Sequence, residues 1–473
     1  MFPAGYTTIS RRAMLNRSAV GFGSLALASM LGQDARADAP ARPLAPAAPH
    51  FLARAKRVIF LFMSGGPSQV DTFDYKPLLT RDDGKPLPFE KPRVQFNSTA
   101  NLLKSPWEFE QYGESGLWVS DLFPHVAQRV DDLCMIHSMH GTNPAHGGAV
   151  MKVHTGSDNF VRPSIGSWVS YGLGTENQNL PAFVTICPTL AFGGINNWSS
   201  AFLPAVYQGT PFGNAAVPSA KAEVKYIRNS RWPREVQEIQ LRQLARMNLE
   251  HQSHSGPEAS LDARISSFEL AFRMQNELPK VEDLSGESEA TQKLYGLDNP
   301  VTANFGRMCL KARRFAEAGV RFIQVTHNDD KVQWDQHSDL KAGHEKNAKE
   351  VDLPIAGLLY DLKARGLLED TLVWWGGEFG RTPTAEGGGT GRDHNQEGFT
   401  MWLAGGGVKG GFRYGSTDDY GYYAAENKVH IHDLHATMLH LLGLDHERLT
   451  YRHAGRDFRL TDVHGKVVTD VIS

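Results

Sequence analysis

Arg57-Val58-Ile59-Phe60-Leu61-Phe62-Met63 is apolar without interruption after its first residue, and Ser64-Gly65-Gly66-Pro67 stops it. A strand with one wet face would alternate; a continuous run bounded by turn residues fits a central strand of a parallel sheet, covered on both faces. Further strand-like runs follow at 133–136, 182–186, 321–325, 371–375 and 400–403. Helical patterns lie between several of them. The clearest spans 347–367, with Gly366 as a break near its end, and a last helix is expected over 433–442. Strand and helix in alternation predict an α/β sandwich with a mostly parallel central sheet and helices on both faces. Residues 220–300 differ, being charged, Gln-rich and without strand signal. They read as a helical insertion, equally a cap over one sheet edge or a plain solvated excursion.

The first forty residues carry a different signal. Ser10-Arg11-Arg12-Ala13-Met14-Leu15 precedes an apolar stretch over 18–31, and Ala35-Arg36-Ala37 supplies a small-residue cleavage pattern. Cutting after Ala37 avoids the proline that follows Ala39. The stretch is too short and too mild to span a bilayer stably. The reading is a twin-arginine signal peptide over 1–37, a Pro- and Ala-rich flexible lead-in over 38–55 and one domain over 56–473. The alternative is an N-terminal membrane anchor. Export through the twin-arginine machinery would place the mature protein in the periplasm or outside the cell, with no stable membrane span. A net charge of −3 over 473 residues announces no nucleic-acid or anionic-membrane patch. Three cysteines allow one disulfide with a thiol left over, which is not a disulfide scaffold, and Cys134 sits in an apolar run that reads as core.

In an open parallel sheet, ligands bind outside the carboxyl ends of the strands. After the first run come Ser64, Ser68, Asp71 and Asp74; after the run at 321, His327, Asp329, Asp330 and Trp334-Asp335-Gln336-His337; after the run at 371, Gly376-Gly377-Glu378-Phe379-Gly380-Arg381, and soon Gly391-Arg392-Asp393-His394-Asn395. Taken singly, each has a structural reading: a turn with a surface histidine, a capping Asp393, a Glu378–Arg381 pair. As a set they bring carboxylates and imidazoles to one sheet edge, which suits zinc, manganese, calcium or another divalent ion. Two such ions can clamp a phosphoryl or sulfuryl group. The glycines Gly405-Gly406-Gly407 lack the frame of a dinucleotide fingerprint and read as a tight turn. Trp374-Trp375 and the tyrosines between Tyr420 and Tyr423 fit either a sugar site or, more commonly, buried core.

Four stretches together resemble the bacterial family known as domain of unknown function 1501: 62–74, Trp334-Asp335-Gln336-His337, 371–383, and Gly391-Arg392-Asp393-His394 leading to Ala404-Gly405-Gly406-Gly407-Val408. That family often carries twin-arginine signals and is similar in turn to the alkaline phosphatase and sulfatase superfamily. The resemblance implies an alkaline-phosphatase-like sandwich and a metal-dependent hydrolase of phosphate or sulfate esters, with a small-molecule or glycan ester as substrate. It places Glu378 where the superfamily has a metal-binding aspartate, Asp335 and His337 at its Asp and His pair, and His394 at its last metal histidine. Asp393 would be a ligand or stand behind one. Ser64 occupies the place of the first strand's aspartate, so Asp71 would substitute, and Phe379 falls where the superfamily has His or Asn. Counting back from Thr155-Gly156 puts His146 at the nucleophile position, with Thr142 the nearest hydroxyl in a similar proline context. No cysteine lies in 141–156, which argues against a formylglycine sulfatase. Arg381 and Arg392 would hold the substrate anion. The departures leave a second reading, a catalytically degenerate binding or scaffolding protein of the envelope.

Overall fold

The computed structural model describes residues 43–90, 99–225, 227–256, 259–328, 333–386 and 389–473. The expected signal peptide over 1–37, Asp329 and Asp330 lie outside the described residues. Leu44–Ser473 forms one compact unit. Its main sheet has nine strands: β1 (Arg57–Met63), β2 (Leu133–His140), β3 (Phe183–Ile186), β4 (Thr210–Phe212), β5 (Phe322–His327), β6 (Thr371–Gly376), β7 (Phe399–Ala404), β8 (Phe412–Tyr414) and β9 (Val429–His430). The order is β8-β2-β7-β6-β1-β5-β3-β4, and β9 adds to β2. All pairings are parallel except those of β7, which runs against both β6 and β2. This is the mostly parallel α/β sandwich that the sequence predicts.

The longer helices are α1 (His146–Thr155), α2 (Ile165–Leu173), α3 (Arg234–Ser255), α4 (Ala259–Glu282), α5 (Glu289–Leu294), α6 (Ala303–Glu317), α7 (Leu340–Ala364) and α8 (Ile431–Leu441). Both faces of the sheet are covered, because every residue of β1 is buried. Trp374 and its neighbour Trp375 show the two sides. Trp374 stacks on Phe60, and Phe60 meets His154 of α1. Trp375 packs against Phe73, Phe123 and Trp402. These tryptophans are therefore core, not a sugar platform. The three cysteines are buried and free.

Several expectations shift in detail. The long helix starts at Leu340, earlier than its apolar stripe, because a polar first turn carries no periodic signal. The edge strands β4, β8 and β9 are too short to read from a sequence. Residues 44–55, expected as a flexible lead-in, lie bonded along the domain: Thr175 N donates to Leu44 O at 3.0 Å, His50 N to Gly443 O at 2.8 Å and Arg54 N to Leu441 O at 2.8 Å. The insertion is helical, as read. Leu270, Met274 and Leu278 of α4 are buried, whereas Ile239, Leu244, Met247 and Leu249 of α3 are exposed. Gly405, Gly406 and Gly407 all have positive φ, as a tight turn requires.

Candidate metal centre

The topology brings four separate segments to one sheet edge. Parallel strands present there the residues that follow them: His146 after β2, Asp335 and His337 after β5, Glu378 and Arg381 after β6. Because β7 is antiparallel, it presents the residues that precede it, and these include His394. A two-residue pairing sets Arg381 opposite His394 and Gly380 opposite Asn395.

The turn after β1 seats Asp335. Trp334 N donates to Ser64 O at 3.0 Å. Gly65 has φ +112°, and a Cβ there would meet the backbone nitrogens of Trp334 and Asp335 at 2.7 Å, so only glycine fits. Trp334 Nε1 donates to His327 Nδ1 at 2.9 Å, which fixes the ring behind Asp335. The Arg381 guanidinium, fully buried, donates to Asp335 Oδ1 at 2.6 Å, to Gly66 O at 3.0 Å and to the Gly65 carbonyl.

Around Asp335 stand three imidazoles. His146 Nε2 lies 3.1 Å from Oδ2; His337 Nε2 and His394 Nε2 lie 2.9 and 3.2 Å from Oδ1. The two nitrogens of His337 and His394 are 3.1 Å apart. The other nitrogen of each ring also has a partner. His146 Nδ1 is 2.6 Å from Glu378 Oε1, His337 Nδ1 meets Glu386 Oε2, and His394 Nδ1 is 2.7 Å from Pro144 O. Each of these partners accepts, as do the Asp335 oxygens opposite the Nε2 atoms; with the proton on Nδ1, each Nε2 would turn a lone pair toward the centre. A divalent cation among the Nε2 atoms and the Asp335 oxygens would replace these contacts by coordination. Ligand atoms of His146, Asp335, His337 and His394 all lie within 4.8 Å of one another. Three imidazoles and a carboxylate, each imidazole oriented by an outer acceptor, are a donor set that suits zinc and related ions.

Charge points the same way. Glu378 stands behind His146, Glu386 and Asp393 stand by His337, all three buried, and Arg381 is the buried guanidinium paired to Asp335. Burial would raise the Asp335 carboxyl, but the imidazoles and Arg381 outweigh it and hold it well below the usual carboxylate range. Burial lowers the His394 imidazole to about 4; burial also opposes charge on His146, but its bonds to Asp335 and Glu378 outweigh it and raise that imidazole, and the bond to Asp335 raises His337. Burial raises Asp393, whose Oδ2 has no hydrogen-bond partner. With His337 and Glu386 it forms a second group of ligand atoms within 4.8 Å.

Residues 55–472 match the family described as protein of unknown function (DUF1501). The chain belongs to that family. No curated protein matches this DUF1501 member. Among solved structures it is similar to a sulfatase from Pseudoalteromonas sp., with 12% identity over 83% of this chain and 69% of that one, at a TM-score of 0.34. An alkaline phosphatase from an Antarctic bacterium shares 9% identity over 82% of this chain and 98% of that one, at 0.34. A phosphonate monoester hydrolase from Silicibacter pomeroyi shares 11% over 68% of each chain, at 0.31.

The sequence-predicted residues of the DUF1501 chain divide. Asp335, His337 and His394 meet as expected. His146 joins them as a fourth ligand candidate, not as a free nucleophile, since Glu378 and the cluster take up its ring. Glu378 is not in the cluster: it accepts from His146 and from Gly65 N at 3.0 and 3.1 Å, and so orients a ligand. Asp71 lies in neither group of candidate ligands. It forms a two-pronged pair with Arg392 at 2.6 and 3.0 Å, both side chains fully buried. That pairing also removes Arg392 as a substrate contact, and Arg381 is spent on Asp335 and backbone carbonyls. Thr142 is exposed and donates to Asp158 at 3.3 Å. Sequence reading missed Glu386 and the carbonyl of Pro144. It also missed Phe192, whose ring stacks on His146 at 4.7 Å. Phe379 packs on His146 and His394 at 4.9 and 4.4 Å and forms an apolar wall of the centre.

Proposed function

We propose that this chain is a metal-dependent hydrolase of phosphate or sulfate esters, exported by the twin-arginine route and active outside the cytoplasm. The observation that carries the reading is the convergence of three Nε2 atoms on Asp335. A divalent ion held by His146, Asp335, His337 and His394 supplies Lewis acidity toward an ester oxygen and toward water. Glu378, Glu386 and the Pro144 carbonyl keep the three imidazoles in the binding tautomer. The first turn of α1 begins at His146 and is capped by no side chain, so its free amides and dipole favour an anion there. A Cβ at Gly147 would meet nothing within 4 Å, which leaves that approach open. Neither Thr142 nor His146 is placed to attack, so the reading takes water as the nucleophile. The engagement of Thr142 with Asp158 favours, as a second reading, an envelope binding protein that keeps the ion and lacks turnover.

Metal analysis of the purified full chain tests the proposal, together with release of nitrophenol from nitrophenyl phosphate and nitrophenyl sulfate. Wild type is expected to hold a stoichiometric divalent ion. His394→Ala should lose it. Glu378→Gln should keep it with affinity about 10- to 100-fold weaker, as for other groups that orient a metal histidine. A wild type that binds no divalent ion after incubation overturns the hydrolase; bound ion without turnover leaves the binding protein.

A further inference from the structure

A cavity of about 760 Å³ lies between α4 and the β4 edge of the sheet. Ligand pockets commonly fall between about 300 and 1,000 Å³ and are mostly apolar. Its lining includes Leu190, Ala191, Val206, Ile227, Leu270 and Met274. The ionisable side chains that line it, Glu223 and Lys225, belong to exposed residues. A polysaccharide would need aromatic faces and many polar partners, and this lining offers few.

One short segment runs from the cavity lining to the candidate metal centre. Leu190 and Ala191 line the cavity, and Phe192 stacks on His146. Two residues of chain span at most about 7 Å. Phe192 holds φ +44°, a conformation that bulky residues rarely adopt. It is locked there by Asn197, whose Nδ2 donates to Phe192 O at 3.0 Å, and a Cβ at Gly193 would collide with Asn197 Oδ1 at 2.3 Å. Phe192 is 37% exposed, and its ring covers the His146 imidazole one residue beyond the cavity lining.

We infer that the helical insertion roofs a second compartment of the ester site, which takes the apolar alcohol part of an amphiphilic phosphate or sulfate monoester. The anionic head would sit at the metal centre, so this assignment rests on the proposed hydrolase for the head and on the cavity for the tail. The insertion then has a role, selection for esters of apolar alcohols over esters of glycans.

The test uses the full chain and the n-alkyl phosphates from ethyl to octyl. Binding is followed by titration calorimetry with and without a chelator, and phosphate release is followed separately. Affinity should rise about two- to fourfold per methylene, the gain expected from burying each CH₂, with or without the ion. Turnover, where present, should rise in kcat/KM along the same series. Ala216→Trp, at an exposed residue of the lining, should flatten the series. Should that variant fold poorly, Leu190→Gln, at a side chain 70% exposed, serves the same purpose. A binding series flat in chain length, or unchanged in both variants, overturns the inference. Hydrolysis without a chain-length dependence leaves the hydrolase and removes the tail site; a steep binding series without hydrolysis does the reverse.

Discussion

Asp71 and Arg392 carry the same charges that a metal ligand and an anion clamp would carry, yet each meets the other in the dry interior. A guanidinium and a carboxylate at 2.6 and 3.0 Å, both without solvent, satisfy one another. Removing one partner strands the other. Asp71→Asn is expected to cost roughly 3 kcal/mol of stability, near the lower end for a broken buried pair. It should leave metal content unchanged. Urea unfolding and metal analysis of that variant check both parts, and loss of the ion would restore Asp71 as a ligand. Glu378 and Glu386 teach a related lesson. They stand one bond behind the centre, and their chemistry is the proton on a histidine Nδ1.

At the scale of elements, the centre depends on the turn that ends β1. Its carbonyls at Gly65 and Gly66 hold Arg381, its Gly65 amide holds Glu378, and its Ser64 carbonyl holds the Trp334 segment. The turn can approach so closely because Gly65 has no side chain. Gly65→Ala would drive a methyl into the backbone of Trp334 and Asp335 and strain a positive-φ residue. The expected loss is about 1–3 kcal/mol of stability together with weakened metal binding, while the sheet persists. Chelator competition beside far-ultraviolet circular dichroism reads the two effects apart. Metal affinity equal to wild type would show that Asp335 is seated by something other than this turn.

For the molecule as a whole, the unusual feature is the number of neutral histidines in the core. Burial lowers His137 and His154 to about 4 and His344 and His435 to about 3. Their pKa is depressed in the folded state and about 6.5 in the unfolded chain, so between those values the unfolded chain binds more protons. Stability is therefore complete above about pH 6.5 and falls as the pH drops toward the folded values. Each such histidine costs about 2 kcal/mol at pH 5. Urea midpoints of chelator-treated protein should fall steeply between pH 7.5 and pH 5; a flat profile would refute the buried, neutral assignment. What the sequence determined by itself follows from periodicity and local chemistry. The unbroken run at 57–63, the alternation of strands and helices, and the helical character of the insertion are local patterns that any fold must respect. Asp335, His337 and His394 were legible because strand ends in a parallel sheet meet at one edge. The tertiary structure alone decided which carboxylates serve that edge as ligands and which serve as counter-charges or proton acceptors. A carboxylate's role is set by the nearest donor in space, and Arg392, Gly65 and His146 come to Asp71 and Glu378 from more than two hundred residues away. Only the packed chain brought His146 to Asp335, Glu386 to His337, and the cavity segment to Phe192.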